Sequence, residues 1–302
     1  MAGQIGQLWT LAADPGEFSK GVDDMSDKIV IVGYGRVGQA NALALSIMGY
    51  SVFYYDAREP KRHYLTTHAA VYNRVTPITD IRTHDSARTI YIVCIGDNVS
   101  IDGEQDISEI KASLADLKSV QGQVILRSTI LPDRLSKLSF HYYVPEFMRE
   151  KRAVDDCLNP AWMVVGRNCA DKLPRFLETW LSGARKVFVG SPSEAAFIKY
   201  LSNLWNATRI AFVNEIGSVV GAPVVSDNLD KINRVIDFVF EGGAYLRYGN
   251  AFGGTCLPKD IRAFLKWCHD KGSATMVLDG VSAANAVHYS RRDHARLPEW
   301  FS

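Results

Sequence analysis

Short apolar and β-branched runs alternate with longer stretches of helical periodicity from residue 28 to about residue 190. The runs lie at 28–32, 51–55, 89–95, 123–126, 141–144, 162–165 and 186–189. Runs that are apolar at nearly every position, rather than at every second one, predict strands buried on both faces. Helices between them predict a parallel sheet. Near Ser191 the pattern changes. Helical periodicity then covers 193–220, 227–240, 260–271 and 273–292, with no strand between. The chain therefore reads as an N-terminal extension (1–26), an α/β domain (27–192) and an all-helical domain (193–302).

Composition narrows the function classes. Of 302 residues, 47% are hydrophobic and 22% charged, ordinary values for a soluble globular chain. A net charge of +1 gives no electrostatic footprint for nucleic acid or an anionic membrane. No apolar run reaches the ~18–20 residues of a membrane span, because Asn214 and Glu215 interrupt the most apolar helix. The five cysteines, Cys94, Cys157, Cys169, Cys256 and Cys268, have neither C-x-x-C nor His-paired spacing. That argues against a metal site and a disulfide framework, and for a reducing cytosol. The first residues lack the charged-then-apolar pattern of a secretion signal, so a cytoplasmic protein is expected.

Two segments carry the chemistry. Gly33-Tyr34-Gly35-Arg36-Val37-Gly38 follows the first run directly and opens a helix. Glycines at these places permit a tight turn and let a pyrophosphate approach the helix N-terminus. Asp56 ends the second run, where a carboxylate accepts from ribose hydroxyls and repels a 2′-phosphate. NAD is the expected cofactor, held by Gly33, Tyr34, Gly35, Arg36, Val37, Gly38 and Asp56. Arg58 and Lys61 nearby leave NADP as the alternative. The second segment is Ala251-Phe252-Gly253-Gly254-Thr255-Cys256-Leu257-Pro258-Lys259-Asp260. It sets a thiol after two flexible glycines, with a cation and a carboxylate three and four residues on. A cysteine that forms and releases a covalent intermediate needs backbone freedom, nearby positive charge and a group that positions water. Taken alone, a cysteine is more often a buried small hydrophobe.

Further polar groups gather at strand ends or on one helix face. Arg127-Ser128-Thr129 ends the run at 123–126. Pro145-Glu146-Phe147-Met148-Arg149-Glu150 follows the run at 141–144. Lys199 and Asn203 are four apart in the longest helix, so they share a face. Carboxyl ends of strands are where open α/β sheets bind ligands. Read singly, Thr129 also suits a helix cap, Glu146 and Glu150 a solvated face, and Lys199 an exposed charge.

From Lys28 onward the chain resembles the UDP-glucose/GDP-mannose dehydrogenase family. The resemblance rests on ordered motifs: GYGRVG, IDGEQD (101–106), RSTI, PEFMRE, IKYLSNLWNATRIAFVNEIG and AFGGTCLPKD. It implies a Rossmann-type doubly wound parallel sheet followed by an all-helical domain that carries the Cys loop and forms a homodimer. It implies NAD-dependent, four-electron oxidation of a nucleotide sugar's primary alcohol to the uronate, of the kind used in polysaccharide biosynthesis. UDP-glucose to UDP-glucuronate is the first expectation and GDP-mannose the second. The implied catalytic residues are Cys256 as nucleophile, Lys199 and Asn203 as oxyanion donors, Asp260 and Thr129 as water holders, Glu150 as a water-linked base and Glu146 as a positioning group. Thr129 also borders the cofactor. Substrate contacts fall to Glu146, Phe147, Lys199, Asn203, Arg247, Phe252, Gly253 and Lys259, the last toward a phosphate or hydroxyl.

The chain also departs from the pattern. Gly96-Asp97 stands where the family carries Thr-Pro, and Lys151 where it carries Gly. The family continues past the last helix into a third domain over the nucleotide. That domain is expected to be absent here, or replaced by a separate chain. Two other readings compete: a two-electron dehydrogenase of the β-hydroxyacid type, which lacks the Cys loop, and an inactive NAD-binding remnant.

Overall fold

The computed structural model describes residues 27–168, 173–221, 226–240, 246–249 and 251–290. The expected extension at 1–26, Cys169, the helix stop at 222–223, the Gly242-Gly243 pair and the end of the last expected helix lie outside them. In chain order the elements are β1 (Lys28–Val32), α1 (Arg36–Ile47), β2 (Ser51–Tyr55), α2 (Ala69–Tyr72), β3 (Thr76–Pro77), β4 (Thr89–Val93), β5 (Asn98–Val99), β6 (Gln105–Asp106), α3 (Ser108–Asp116), β7 (Gln123–Leu126), α4 (Pro132–Leu135), β8 (Tyr142–Tyr143), α5 (Ala153–Leu158), β9 (Trp162–Arg167), α6 (Arg175–Ser182) and β10 (Lys186–Gly190). The helices α7 (Pro192–Gly221), α8 (Ser226–Phe240), α9 (Leu257–Asp270) and α10 (Met276–Ser290) follow.

Eight strands form one sheet in the order β10-β9-β8-β7-β4-β1-β2-β3. Strand alternation explains its two cores. Ile29, Ile31, Ile90, Ile92 and Ile125 point to one face, against α1, α5 and α6. Val30, Val32, Tyr91, Val93, Val124 and Leu126 point to the other, against α3 and the start of α7. Both faces are covered, so the central strands are apolar throughout, as the sequence pattern predicts. The all-parallel expectation needs one refinement. β9 pairs antiparallel with β8, while β10 runs parallel to β9. The chain leaves β8 and re-enters at the same end through the short α5, so the last two strands run reversed. The sheet is mostly parallel and doubly wound.

Three short strands carry no apolar run and were not foreseen: β3 at the edge, and the antiparallel pair β5–β6. The long helix is as expected to within a residue at each end. α9 differs more. It starts at Leu257, so Lys259 and Asp260 lie in its first turn and Cys256 is its N-cap residue. Pro258 explains the early start, because its fixed φ suits a first helical turn. A third core joins Tyr200, Leu204, Ile210 and Val213 of α7 to Phe252, Ile261, Leu265 and Val281. It sets α9 and the Cys256 turn beside the carboxyl edge of the sheet.

Candidate active site

The glycine turn lies at the β1/β4 switch point, where successive strands are added on opposite sides. Gly33 has φ +88°, and a Cβ there would meet Ile95 Cγ1 at 2.8 Å. A Cβ on Gly38 would lie 2.0 Å from Gly33 O, so α1 packs on the turn with no room for a side chain. A Cβ on Gly35 meets nothing within 4 Å. Gly35 is also the N-cap of α1, with no capping side chain and no acidic residue in the first turn. Open space in front of uncapped helix N–H groups fits a dinucleotide pyrophosphate. Asp56 closes the turn: Tyr34 N donates to Oδ2 at 2.6 Å and Arg58 N to Oδ1 at 2.9 Å. Each carboxylate oxygen keeps a second lone pair for a ribose hydroxyl. The Tyr34 ring is buried and stacked on Tyr54 at 3.7 Å, so only its backbone faces the turn.

A second cluster forms where α7 and α9 meet the loops after β4, β7 and β8. Lys199, 4% exposed, donates to Glu146 O at 2.7 Å and to Glu146 Oε1 at 2.9 Å. Its ammonium also lies 5.3 Å from the Phe147 ring. Burial works against both charged forms. The pairing outweighs it, and the Glu146 pKa lies below the ordinary glutamate value while that of Lys199 lies above the ordinary lysine value, helped by Asp260 and Cys256. One turn along α7, Asn203 Nδ2 donates to Asp260 Oδ2 at 2.5 Å. The other Asp260 oxygen takes Lys259 Nζ at 2.6 Å, and Asp260 N donates to Cys256 O at 2.9 Å. Cys256 is exposed. Lys199, Glu146, Asn203, Asp260 and Cys256 thus come together as one site.

Other expected residues fall differently. Glu150 is exposed and pairs with Arg36 at the rim of the glycine turn. Thr129 gives its carbonyl to Gln105 Nε2 at 3.1 Å. Arg127 lies over the Trp180 ring at 4.8 Å, and its charge also favours the ionised form of Glu146. Arg247 pairs with Asp237 of α8 at 3.5 Å. Lys259 is held between Asp97 Oδ1, at 2.7 Å, and Asp260. Burial opposes its charge, but the two carboxylates outweigh that and hold its pKa above the lysine range. A cation neutralised by two carboxylates is poorly placed to take a substrate phosphate. Phe252 is buried, fixed by Asn285 through a donated N–H at 2.8 Å and a carbonyl accepting at 3.0 Å; Gly253 follows it at the cluster's edge.

Sequence reasoning missed Asp97 and Gln105 as members of the site. The available signal was position: Asp97 follows the carboxyl end of β4, where such sheets place ligands. Among the described residues there is no cluster of three metal-ligating side chains, and no helix is long and apolar enough to cross a membrane.

A Rossmann-type sheet whose carboxyl edge meets a helical half bearing a Lys–Asn–Asp–Cys cluster defines the class of protein. Within that class, residues 193–287 match the central domain of the UDP-glucose/GDP-mannose dehydrogenase family. A GDP-mannose 6-dehydrogenase of Pseudomonas aeruginosa is 26% identical over 279 residues, covering 78% of this chain and 63% of that protein. UDP-glucose 6-dehydrogenase TuaD of Bacillus subtilis is 27% identical, covering 85% of this chain and 62% of its own length. A UDP-glucose dehydrogenase structure from Pyrobaculum islandicum superposes with a TM-score of 0.72 at 22% identity, over 86% of this chain and 68% of that one. The chain therefore spans less than two thirds of the length of these curated relatives.

Proposed function

We propose that this protein oxidises the primary alcohol of a nucleotide sugar to a carboxylate in two steps at Cys256, with NAD as oxidant. The observation that carries the reading is the joining of buried Lys199 and Asp260 with Asn203 and the exposed Cys256 in one cluster on the carboxyl side of the sheet that bears the glycine turn. When bound, NAD accepts two electrons in each step, two equivalents per sugar. The Cys256 sulfur adds to the aldehyde carbon, and the tetrahedral oxygen that forms needs donors. Lys199 has three N–H groups and Glu146 takes two; Asn203 has two and Asp260 takes one. One N–H of each remains for the oxyanion, typically worth ~3–4 kcal/mol apiece in the transition state. Oxidation of the thiohemiacetal leaves a thioester, which water beside Asp260 and Thr129 hydrolyses. Glu150, exposed and paired to Arg36, is assigned as the base that takes the alcohol proton through an intervening water.

NAD rather than NADP is favoured because Asp56 faces the turn and Glu109 neutralises Arg58. The relatives' names support both UDP-glucose and GDP-mannose, and we place UDP-glucose first. The setting is the cytoplasm, in line with four described cysteines that are unpaired. The assembly is a homodimer. Leu201, Trp205, Phe212, Ile216 and Val219 are exposed along one stripe of α7, a surface that a second copy would cover.

NADH counted per sugar across UDP-glucose, GDP-mannose and related nucleotide sugars tests the reading. Two NADH per sugar with uronate formed is expected. One NADH with free aldehyde would overturn the thioester route, and no NADH with any of them would overturn the function.

A further inference from the structure

Asp97 belongs to the dinucleotide-binding half and Lys259 to the first turn of α9, 162 positions further along the chain. Their contact is the middle of a continuous buried network. Asp97, its side chain 4% exposed, accepts from Lys259 through Oδ1 and from Gln105 Nε2 through Oδ2, both at 2.7 Å. Gln105 is itself buried. Its amide nitrogen also reaches the Thr129 carbonyl and the Tyr200 hydroxyl, the latter at 3.3 Å, and its Oε1 takes Leu131 N at 3.1 Å. On the other side Lys259 holds Asp260, which holds Asn203 and closes back on the Cys256 carbonyl.

We propose that Asp97 is a positioning residue: with Lys259 it forms a latch that fixes the Cys256 turn and Asp260 against the dinucleotide-binding half. The latch follows from geometry alone; its value to a nucleophile rests on the reading of Cys256 given above. Parting the two halves would leave Asp97 without its cation and Lys259 with one carboxylate instead of two. Removing one member of a buried pair leaves an uncompensated charge, so the closed arrangement is favoured as a unit. The same contact makes Lys259 an internal counter-ion rather than a hand for the substrate's phosphate, a specificity consequence of having Asp at this position.

The test uses the full chain as Asp97→Asn, Lys259→Met and the double variant. Asp97→Asn keeps the side chain's size, and circular dichroism checks that each variant folds. Hydrogen exchange over residues 256–262 and alkylation of Cys256 are read by peptide mass, with no substrate present. Each single variant should speed exchange at the Asp260 and Ile261 amides by at least ~10-fold and change the Cys256 alkylation rate, and the double should add nothing, because the two residues act as one unit. In the assay, kcat should fall ~10-fold or more while NAD affinity stays within about twofold. Unchanged exchange in Asp97→Asn, or single effects that multiply in the double, would overturn the latch. So would a Lys259→Met defect confined to KM, the mark of a substrate contact. A wild-type chain inactive on every nucleotide sugar would count against the proposed function, and the exchange data would still decide the latch.

Discussion

Cys256 differs from its fellow cysteines in surroundings, not in type. Cys94 and Cys157 are buried, and burial pushes both thiols up to about 12, so they are inert near neutral pH. Cys256 is exposed at the N-cap of α9. Iodoacetamide should label Cys256 well before Cys94 or Cys157, as peptide mapping would show. Cys256→Ser should abolish uronate formation while leaving NAD binding intact, measured by NADH product assay and titration. On the proposed mechanism, Lys199→Met removes one of the two oxyanion donors and should lower kcat by about 10²-fold or more. The shared face of Lys199 and Asn203, and the setting of Cys256 ahead of Lys259 and Asp260, are legible in the sequence because they lie in local spacing. Asp97 and Gln105 are not, because, apart from each other, the groups that define them lie 24 to 162 residues away.

Whole elements are held to the site by asparagines that look out of place in helices. Asn214 of α7 accepts from Gly249 N, and Asn233 of α8 from Tyr248 N, each at 2.9 Å; Asn285 of α10 binds Phe252 through both N–H and carbonyl. Three helices thereby hold the strap that leads into the Cys256 turn. Asn285→Ala should destabilise the protein by about 1–3 kcal/mol, since it strands buried backbone groups, and urea unfolding would measure it. Gly217 matters for the same strap: a Cβ there would meet the Tyr248 ring at 2.1 Å. The link between α7 and the loop after β8 is electrostatic, and its pH sign is fixed. The folded-state pKa of Glu146 is depressed, so its contribution is present above the ordinary value of 4.5 and is lost as pH falls through the lower folded value. That of Lys199 is raised, so its contribution is complete below 10.5 and is lost only as pH rises through the higher folded value. Stability of the wild type relative to a Glu146→Gln, Lys199→Met double variant should therefore be level at neutral pH and converge below about pH 4.5. The helix boundaries themselves were legible from periodicity. The strap's asparagines were not, because a helix interior gives no hint of which loop an amide will reach.

At the scale of the molecule, the exposed stripe on α7 is the feature a lone chain leaves unexplained. With the proposed dimer covering that stripe, Trp205→Glu should shift the molecular mass in light scattering from two chains to one, because a charge in an apolar interface is costly to desolvate. The sequence by itself determined the order of an α/β half and a helical half, the glycine turn and the setting of Cys256, since each is written in neighbouring residues: runs of apolar positions, three glycines, a thiol before a proline. Only the tertiary structure decided that β9 and β10 run reversed, that Glu150 pairs with Arg36, and that Lys259 answers to Asp97. Those outcomes depend on which distant segments share a buried space. There, charge and hydrogen-bond demand must be met by whatever group the fold brings within reach.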